Sequence, residues 1–190
     1  MRLKKTEKIP KNLTGYLLVA APPLLDPNFH RTIIFLSHHD PECGAVGFVL
    51  NRPSCKSLGI LTSAPAWLSK VPVYQGGPVE VEHVILTRIL WLAEGVRFES
   101  FVKEDLSETF TSQNPDQSGL RAFIGHAGWS TGQLESEISE KSWVVLDPMR
   151  ELLEPLSDPL AGVTRWRAAM KSLGPWYHLM AQAPDDLGMN

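Results

Sequence analysis

Residues 32–50 read TIIFLSHHDPECGAVGFVL and contain two apolar runs separated by polar residues. Thr32 to Leu36 is a β-branched and aromatic run, and Gly44 to Leu50 is a second apolar run. Asp40 and Pro41 lie between the two runs and are typical of turns. The stretch therefore predicts two strands that pair as a hairpin.

Apolar runs on both sides of the hairpin predict further strands. These strands are Gly15 to Ala21, Val71 to Tyr74, His83 to Leu90, Leu120 to Ile124 and Trp143 to Leu146. Ser57 to Lys70 is a weak helix, because a glycine and a proline interrupt it. A stronger helix is predicted to begin at Asp158, which would cap it, with Pro159 in its first turn. This helix ends at Gly174. The first half is therefore rich in sheet, an order compatible with an α+β fold.

Length and charge exclude several classes of protein. The 190 residues fit one domain, and 18 basic against 21 acidic residues give a formal charge of -3. A negative chain is not drawn to phosphate backbones, so specific nucleic acid binding is disfavoured. Four lysines lie in residues 1–12, which we predict to be a mobile tail ahead of a single domain at 13–190.

Neither a secretory signal nor a membrane span is predicted. The apolar run from Tyr16 is interrupted by Pro22 and Pro23, and no apolar stretch reaches the ~20 residues that a span needs. We therefore expect a cytoplasmic protein that does not engage a membrane.

One segment is dense in side chains that can bind metals. It contains His38, His39, Asp40, Glu42 and Cys43. Neighbours on a strand point to opposite faces, and no second cluster of matching spacing follows, so a solvated hairpin tip is the better description. No metal and no cofactor are predicted.

Gly128 to Gly132 matches the G-x-S-x-G pattern of serine hydrolases, with Ser130 as the nucleophile. Asp147, Asp158 and His178 follow in the chain order of such a triad. The alternative is that Ser130 caps a helix, because a glutamine three residues later completes a capping box. A third interpretation is that the glycine turn presents backbone N–H groups to an anion.

Several motifs resemble the AlgH/YqgE family over nearly the whole chain. They are Ala21-Pro22, Asp26 to Arg31, His38 to Gly47, Asn51-Arg52-Pro53, Gly76-Gly77-Pro78, Gly125 to Trp129, Gly132 to Glu135, Glu137, Trp143 and Arg165 to Arg167. The resemblance implies an α+β fold with a branched mixed β-sheet, partly barrel-like and surrounded by helices. Relatives need not carry serine at position 130, and the family name suggests a transcriptional regulator.

We predict a non-enzymatic binding or regulatory domain for a small polar or anionic ligand or a protein partner. The predicted site residues are Asp26, Arg31, His38, Asn51, Gly76, Gly77 and Trp129. They are polar or turn residues near the ends of apolar strands, where sites commonly form. Arg31 would hold a carboxylate or phosphate, and Asn51 would add a donor and an acceptor. For the site, the alternative is that Asp26 caps a turn and pairs with Arg31. For the function, the alternatives are a serine hydrolase and a transcriptional regulator.

Overall fold

The computed structural model describes residues 9–61, 66–93, 95–101, 119–156 and 158–183, in which the chain forms nine strands and five α-helices. The strands are β1 Leu17–Ala20, β2 Ile33–Asp40, β3 Gly44–Val49, β4 Pro53–Ser57, β5 Pro72–Gln75, β6 Val79–Leu92, β7 Gly95–Phe101, β8 Leu120–Trp129 and β9 Trp143–Leu146. The helices are α1 Leu58–Leu61, α2 Gln133–Ser139, α3 Arg150–Leu153, α4 Pro159–Leu173 and α5 Pro175–Met180. Residues 1–8 of the predicted tail lie outside the described residues.

The predicted hairpin is confirmed and is longer than predicted. β2 and β3 pair antiparallel, with Asp40 opposite Gly44 at the turn. A register shift after Leu36 introduces a bulge, and pairing continues beyond it. β2 therefore runs past the end of its apolar stretch, because the backbone ladder does not require apolar side chains.

The strand β8 is the branch point of the sheet. Its first half pairs in parallel with β5 and antiparallel with β6. Residues 127–129 instead pair antiparallel with β3. The main strand order is β4-β5-β8-β3-β2-β1-β9, with β6 and β7 off this path. The sheet is mixed and branched and curls into a half-barrel flanked by helices, which confirms the α+β fold implied by the resemblance.

The glycines of β8 correct one prediction. The predicted strand ended at Ile124 and was followed by a glycine turn, whereas the observed strand continues to Trp129. Gly125 has φ 66, and a Cβ there would lie 2.6 Å from the carbonyl oxygen of Gly77 and 2.7 Å from that of Val79. Glycine is therefore needed at position 125 because a neighbouring backbone passes close to β8, and the turn lies further along the chain, at residues 131–132.

The segment from Ser57 to Lys70 is only partly helical. Leu58–Leu61 forms α1 and Ala66–Leu68 forms a single 3-10 turn, while residues 62–65 lie outside the described residues. The backbone N–H of Leu58 donates to the carbonyl of Val71 at 2.9 Å, so the segment folds back on itself. In the described residues the predicted weak, interrupted helix is therefore present only as these two short pieces.

The helix α4 has the predicted ends and covers one face of the sheet. Asp158 accepts a hydrogen bond from the N–H of Leu160 at 2.9 Å, and Gly174, with φ 133, ends the helix. Trp166 is buried and donates its indole N–H to the carbonyl of Ala20 at 2.8 Å. These contacts attach α4 to β1. Within the described ranges, no helix has the length and apolar character that crossing a membrane requires.

Candidate functional site

Asp26 shapes the turn between β1 and β2. Its Oδ1 accepts hydrogen bonds from the N–H groups of Asn28 at 2.8 Å and Phe29 at 3.1 Å. The predicted cap is therefore present. Asp26 does not line either of the two clefts described below, and its observed contacts fix the turn.

Arg52 holds the Asp26 turn from the other side. Its Nη1 donates to the carbonyl of Asn28 at 2.7 Å, and its Nη2 donates to those of His30 at 3.0 Å and Pro27 at 3.4 Å. Burial lowers the pKa of Arg52, and the charge of Asp26 acts in the opposite direction. This arginine was not among the predicted site residues, although it directly follows one of them in the chain.

Arg31 and Arg52 line a cleft of about 480 Å³, which we call the Arg31 cleft. Its walls are formed by His30, Arg31, Asn51, Arg52, Pro53, Ser54, Gln75, Pro159 and Val163. Arg31 has φ 57, its guanidinium lies 5.6 Å from the ring centroid of Trp166, and its Nη2 donates to the carbonyl of Ala183 at 3.2 Å. Arg31 therefore lies in the wall of a concave cleft that a second arginine also lines.

Asn51 lies in the wall of the Arg31 cleft, but its amide is committed to the backbone. Oδ1 accepts from the N–H of Ile33 at 2.8 Å, and Nδ2 donates to the carbonyls of Arg31 at 2.9 Å and Gly162 at 3.1 Å. Both amide hydrogens are thereby used. Asn51 therefore has no amide hydrogen left to donate to a ligand, because this buried side chain joins β2, its own loop and α4.

A second cleft, of about 300 Å³, lies next to Arg52. It is lined by Asn28, Arg52, Gln75, Gly77, Pro78, Val81 and Ile124. Gly77 thus reaches a cleft wall, whereas Gly76 is buried, and a Cβ on it would lie 2.2 Å from the carbonyl oxygen of Gly125. Gly76 therefore serves strand packing.

The two neighbouring histidines of β2, His38 and His39, do not lie where the sequence predicted them. His38 is exposed near the end of β2 that lies away from Arg31, so it does not join the cleft. His39 is buried; its Nδ1 accepts from the N–H of Leu13 at 3.1 Å and its Nε2 contacts the Glu135 carboxylate at 2.8 Å. The solvated hairpin tip is wrong for His39. In the described part of the chain, no three His, Cys, Asp or Glu side chains converge as a metal site.

Trp129 belongs to an aromatic cluster outside the clefts. Its ring stacks on Phe29 with centroids 6.1 Å apart, so it meets the Asp26 turn without reaching the Arg31 cleft. Its indole N–H donates to Glu137 Oε2 at 2.9 Å, as does that of Trp143 at 2.7 Å. Gln133 Nε2 donates to the other oxygen of Glu137 at 2.9 Å. These contacts give Trp129 a structural role, and its contact with a ligand stays a prediction.

The Ser130 side chain does not cap a helix, and it does not form the predicted serine hydrolase triad. The N-cap of α2 is Gly132, and the Oγ of Ser130 donates to Gln133 Oε1 at 3.1 Å. Asp158 is engaged at the start of α4, and His178 contacts Gln182 at 3.1 Å. One of the two hydrogen bonds of a capping box is present, because the Ser130 N–H donates to the same glutamine oxygen at 3.1 Å.

An α+β half-barrel with an arginine-lined cleft at its strand ends is the class of protein that these features define. A family model described as AlgH-like matches residues 17–178. The chain belongs to this AlgH-like family, which confirms the resemblance seen in the sequence.

Relatives and solved structures agree with this assignment. A UPF0301 protein of Chlorobaculum tepidum is 35% identical over 187 residues, covering 93% of this chain and 95% of that protein. A UPF0301 protein of Streptomyces coelicolor is 34% identical, with 94% and 96% covered. The solution structure of the AlgH protein from Pseudomonas aeruginosa has a TM-score of 0.62 at 28% identity, covering 94% of this chain and 98% of that one. A Corynebacterium diphtheriae crystal structure, at 22% identity and a TM-score of 0.66 with 95% of each chain covered, shows the shared fold alone.

Proposed function

We propose that this protein is a non-enzymatic binding domain for a small anionic ligand, which it holds in the Arg31 cleft. The observation that carries the proposal is that two guanidinium groups line this cleft and none of its described lining residues is acidic. A cleft of about 480 Å³ has the size of a small-molecule site. The charge and the volume together favour a small anion.

The two arginines have different parts in this proposal. The Nη groups of Arg52 already bind three backbone carbonyls, so this residue contributes charge and holds the Asp26 turn. Arg31 contributes a planar guanidinium of the kind that suits carboxylate and phosphate; it lies over the Trp166 ring and donates from Nη2 to the carbonyl of Ala183. Gln75 is exposed in the wall and offers an amide donor and acceptor.

A thermal-shift panel of pyrophosphate, citrate and nucleoside monophosphates tests the proposal. We expect at least one of these anions to raise the melting temperature with concentration, as mass action requires. Arg31→Lys keeps the charge but removes the fork, and we expect it to weaken binding by about tenfold or more in a folded protein. Arg167→Lys is the matched control, because Arg167 is exposed on α4 outside the cleft walls.

If Arg31→Lys leaves the rise in melting temperature caused by an anion unchanged, that anion binds outside the Arg31 cleft. If every anion fails, the small-ligand proposal is wrong and a protein partner becomes the better function. The serine hydrolase lacks support, because the described hydrogen bonds of the Ser130 hydroxyl lead to Gln133 and to no base. A DNA-binding regulator lacks support too, because the net charge is -3.

A further inference from the structure

Arg121 carries a buried guanidinium whose hydrogen bonds are incomplete. The residue lies in β8 and is 1% exposed. Its Nη2 donates to the carbonyl of Leu153 at the end of α3, whereas Nε and Nη1 are buried without an acceptor in the described structure. Nε carries one N–H and Nη1 carries two. A buried charge in this condition is costly unless an anion compensates it.

The charges around Arg121 leave an excess of positive charge. Burial lowers the pKa of Arg121 to about 10; the Tyr74 hydroxyl counteracts this shift, and the charge of Arg165 adds to it. Arg165 donates to the carbonyl of Glu154, and the Glu154 carboxylate lies 3.7 Å from Nε of Arg150. Arg121, Arg150 and Glu154 together carry one positive unit, and the neighbouring Arg165, which lies outside the cleft described next, raises the local net charge to two.

Arg121 lines a cleft of about 180 Å³ between β6 and α3, which we call the Arg121 cleft. Its walls include Arg121, Arg150, Leu153 and Glu154. Arg150 is 69% exposed at the start of α3, and Glu154 is 58% exposed, so the carboxylate can turn toward water when an anion enters. The cleft thus joins an exposed arginine to a buried one.

We propose that the Arg121 cleft binds a phosphate group, either as free phosphate or as the head of a small phosphate monoester. A phosphate dianion matches the two excess positive charges, and its oxygens accept several N–H bonds at once. A carboxylate would neutralise only half of that charge. The Arg121 cleft and the Arg31 cleft share no lining residue, so this site is independent of the proposed function.

Calorimetric titration of the full chain tests this site, with inorganic phosphate and glycerol 3-phosphate as probes at an ionic strength held constant with chloride. We expect saturable phosphate binding that acetate does not reproduce. Arg150→Ala should weaken it by about tenfold, since an ionic hydrogen bond is lost from an exposed position. Arg167→Ala is the matched control and should bind as the unaltered chain does.

Two further variants keep the result interpretable. Arg121→Lys preserves a charge and removes N–H donors, so we expect weaker binding in a chain that circular dichroism shows to be folded; if it does not fold, Arg150→Ala decides. In an Arg31→Lys background, Arg150→Ala should still weaken phosphate binding by about the same factor, which separates this site from the Arg31 cleft. No binding above the chloride background, or binding that survives Arg150→Ala but not Arg31→Lys, would overturn the proposal. Tighter binding of glycerol 3-phosphate than of phosphate would identify a monoester, and the reverse would identify the free ion.

Discussion

The Glu137 carboxylate organises the end of β8 and the start of β9. Trp129 and Trp143 are 5% and 4% exposed, so water cannot replace the acceptor that this carboxylate gives to their indole N–H groups. A buried donor that loses its partner costs its full desolvation penalty, which exceeds the net gain from forming a bond. The Trp129 side chain, predicted to line a site, therefore depends on an acid of α2 for its place.

Glu137→Ala should lower the free energy of unfolding by about 2–4 kcal/mol, because two buried N–H groups lose their acceptor. Urea denaturation followed by circular dichroism measures the change. Ser130→Ala is the control: its hydroxyl is exposed and bonds Gln133, so its removal should cost less than about 0.5 kcal/mol. Equal losses in the two variants would contradict this account, and a cost of about 1 kcal/mol or more for Ser130→Ala alone would restore its predicted capping role.

The segment that joins β5 to β6 is pressed against β8. Gly77 has φ 155, and a Cβ on it would lie 2.2 Å from the carbonyl carbon of His126. Gly76 donates its N–H to the carbonyl of Ile124 at 2.8 Å and accepts from Val49 at 2.9 Å. This glycine pair therefore connects three strands at the branch of the sheet. The same segment forms part of the second cleft beside Arg52.

Gly77→Ala should destabilise the protein by about 3 kcal/mol, because a backbone strand must shift to admit a methyl group. Gly95→Ala is the matched control, since Gly95 has φ 129 but nothing within 4 Å of an added Cβ. The control carries backbone strain alone and should cost about 1–2 kcal/mol. Thermal unfolding of both variants measures the difference, and a Gly77→Ala protein as stable as Gly95→Ala would show that β8 yields easily.

At the scale of the whole molecule, positive charge is local rather than general. The formal charge is -3, yet the Arg31 cleft and the Arg121 cleft each contain two arginines. Such a distribution suits small anions that enter a cleft, because a long polyanion is repelled by the rest of the surface. The lysines of residues 1–12 are the chain's other basic concentration.

The full chain should therefore show no sequence-selective binding to duplex DNA at physiological salt. Any weak complex should dissolve as salt rises and should vanish when residues 1–12 are deleted, since counterion release by tail lysines would be its source. Gel shifts over a salt series measure this. A selective complex that resists salt and survives the deletion would show that the family name describes the function.

The sequence by itself determined the features that depend on neighbouring residues. The β2–β3 hairpin, the strand at Trp143 to Leu146 and the Asp158 cap of α4 are all present, because each follows from a local apolar run or a cap adjacent to its helix. The sequence also placed Arg31 in a cleft, since polar residues at strand ends meet at the rim of a sheet.

Tertiary structure decided which of those polar groups are available to a ligand. Asn51 looks like a ligand-binding amide until its partner Gly162, 111 residues away, is known. Arg52 and Arg121 gain their roles from carbonyls that only the folded chain brings close. The length of β8 was likewise set by pairing with β3, which no local pattern encodes. The physical reason is that hydrogen bonds and burial depend on distance in space, whereas propensity and periodicity report only distance along the chain.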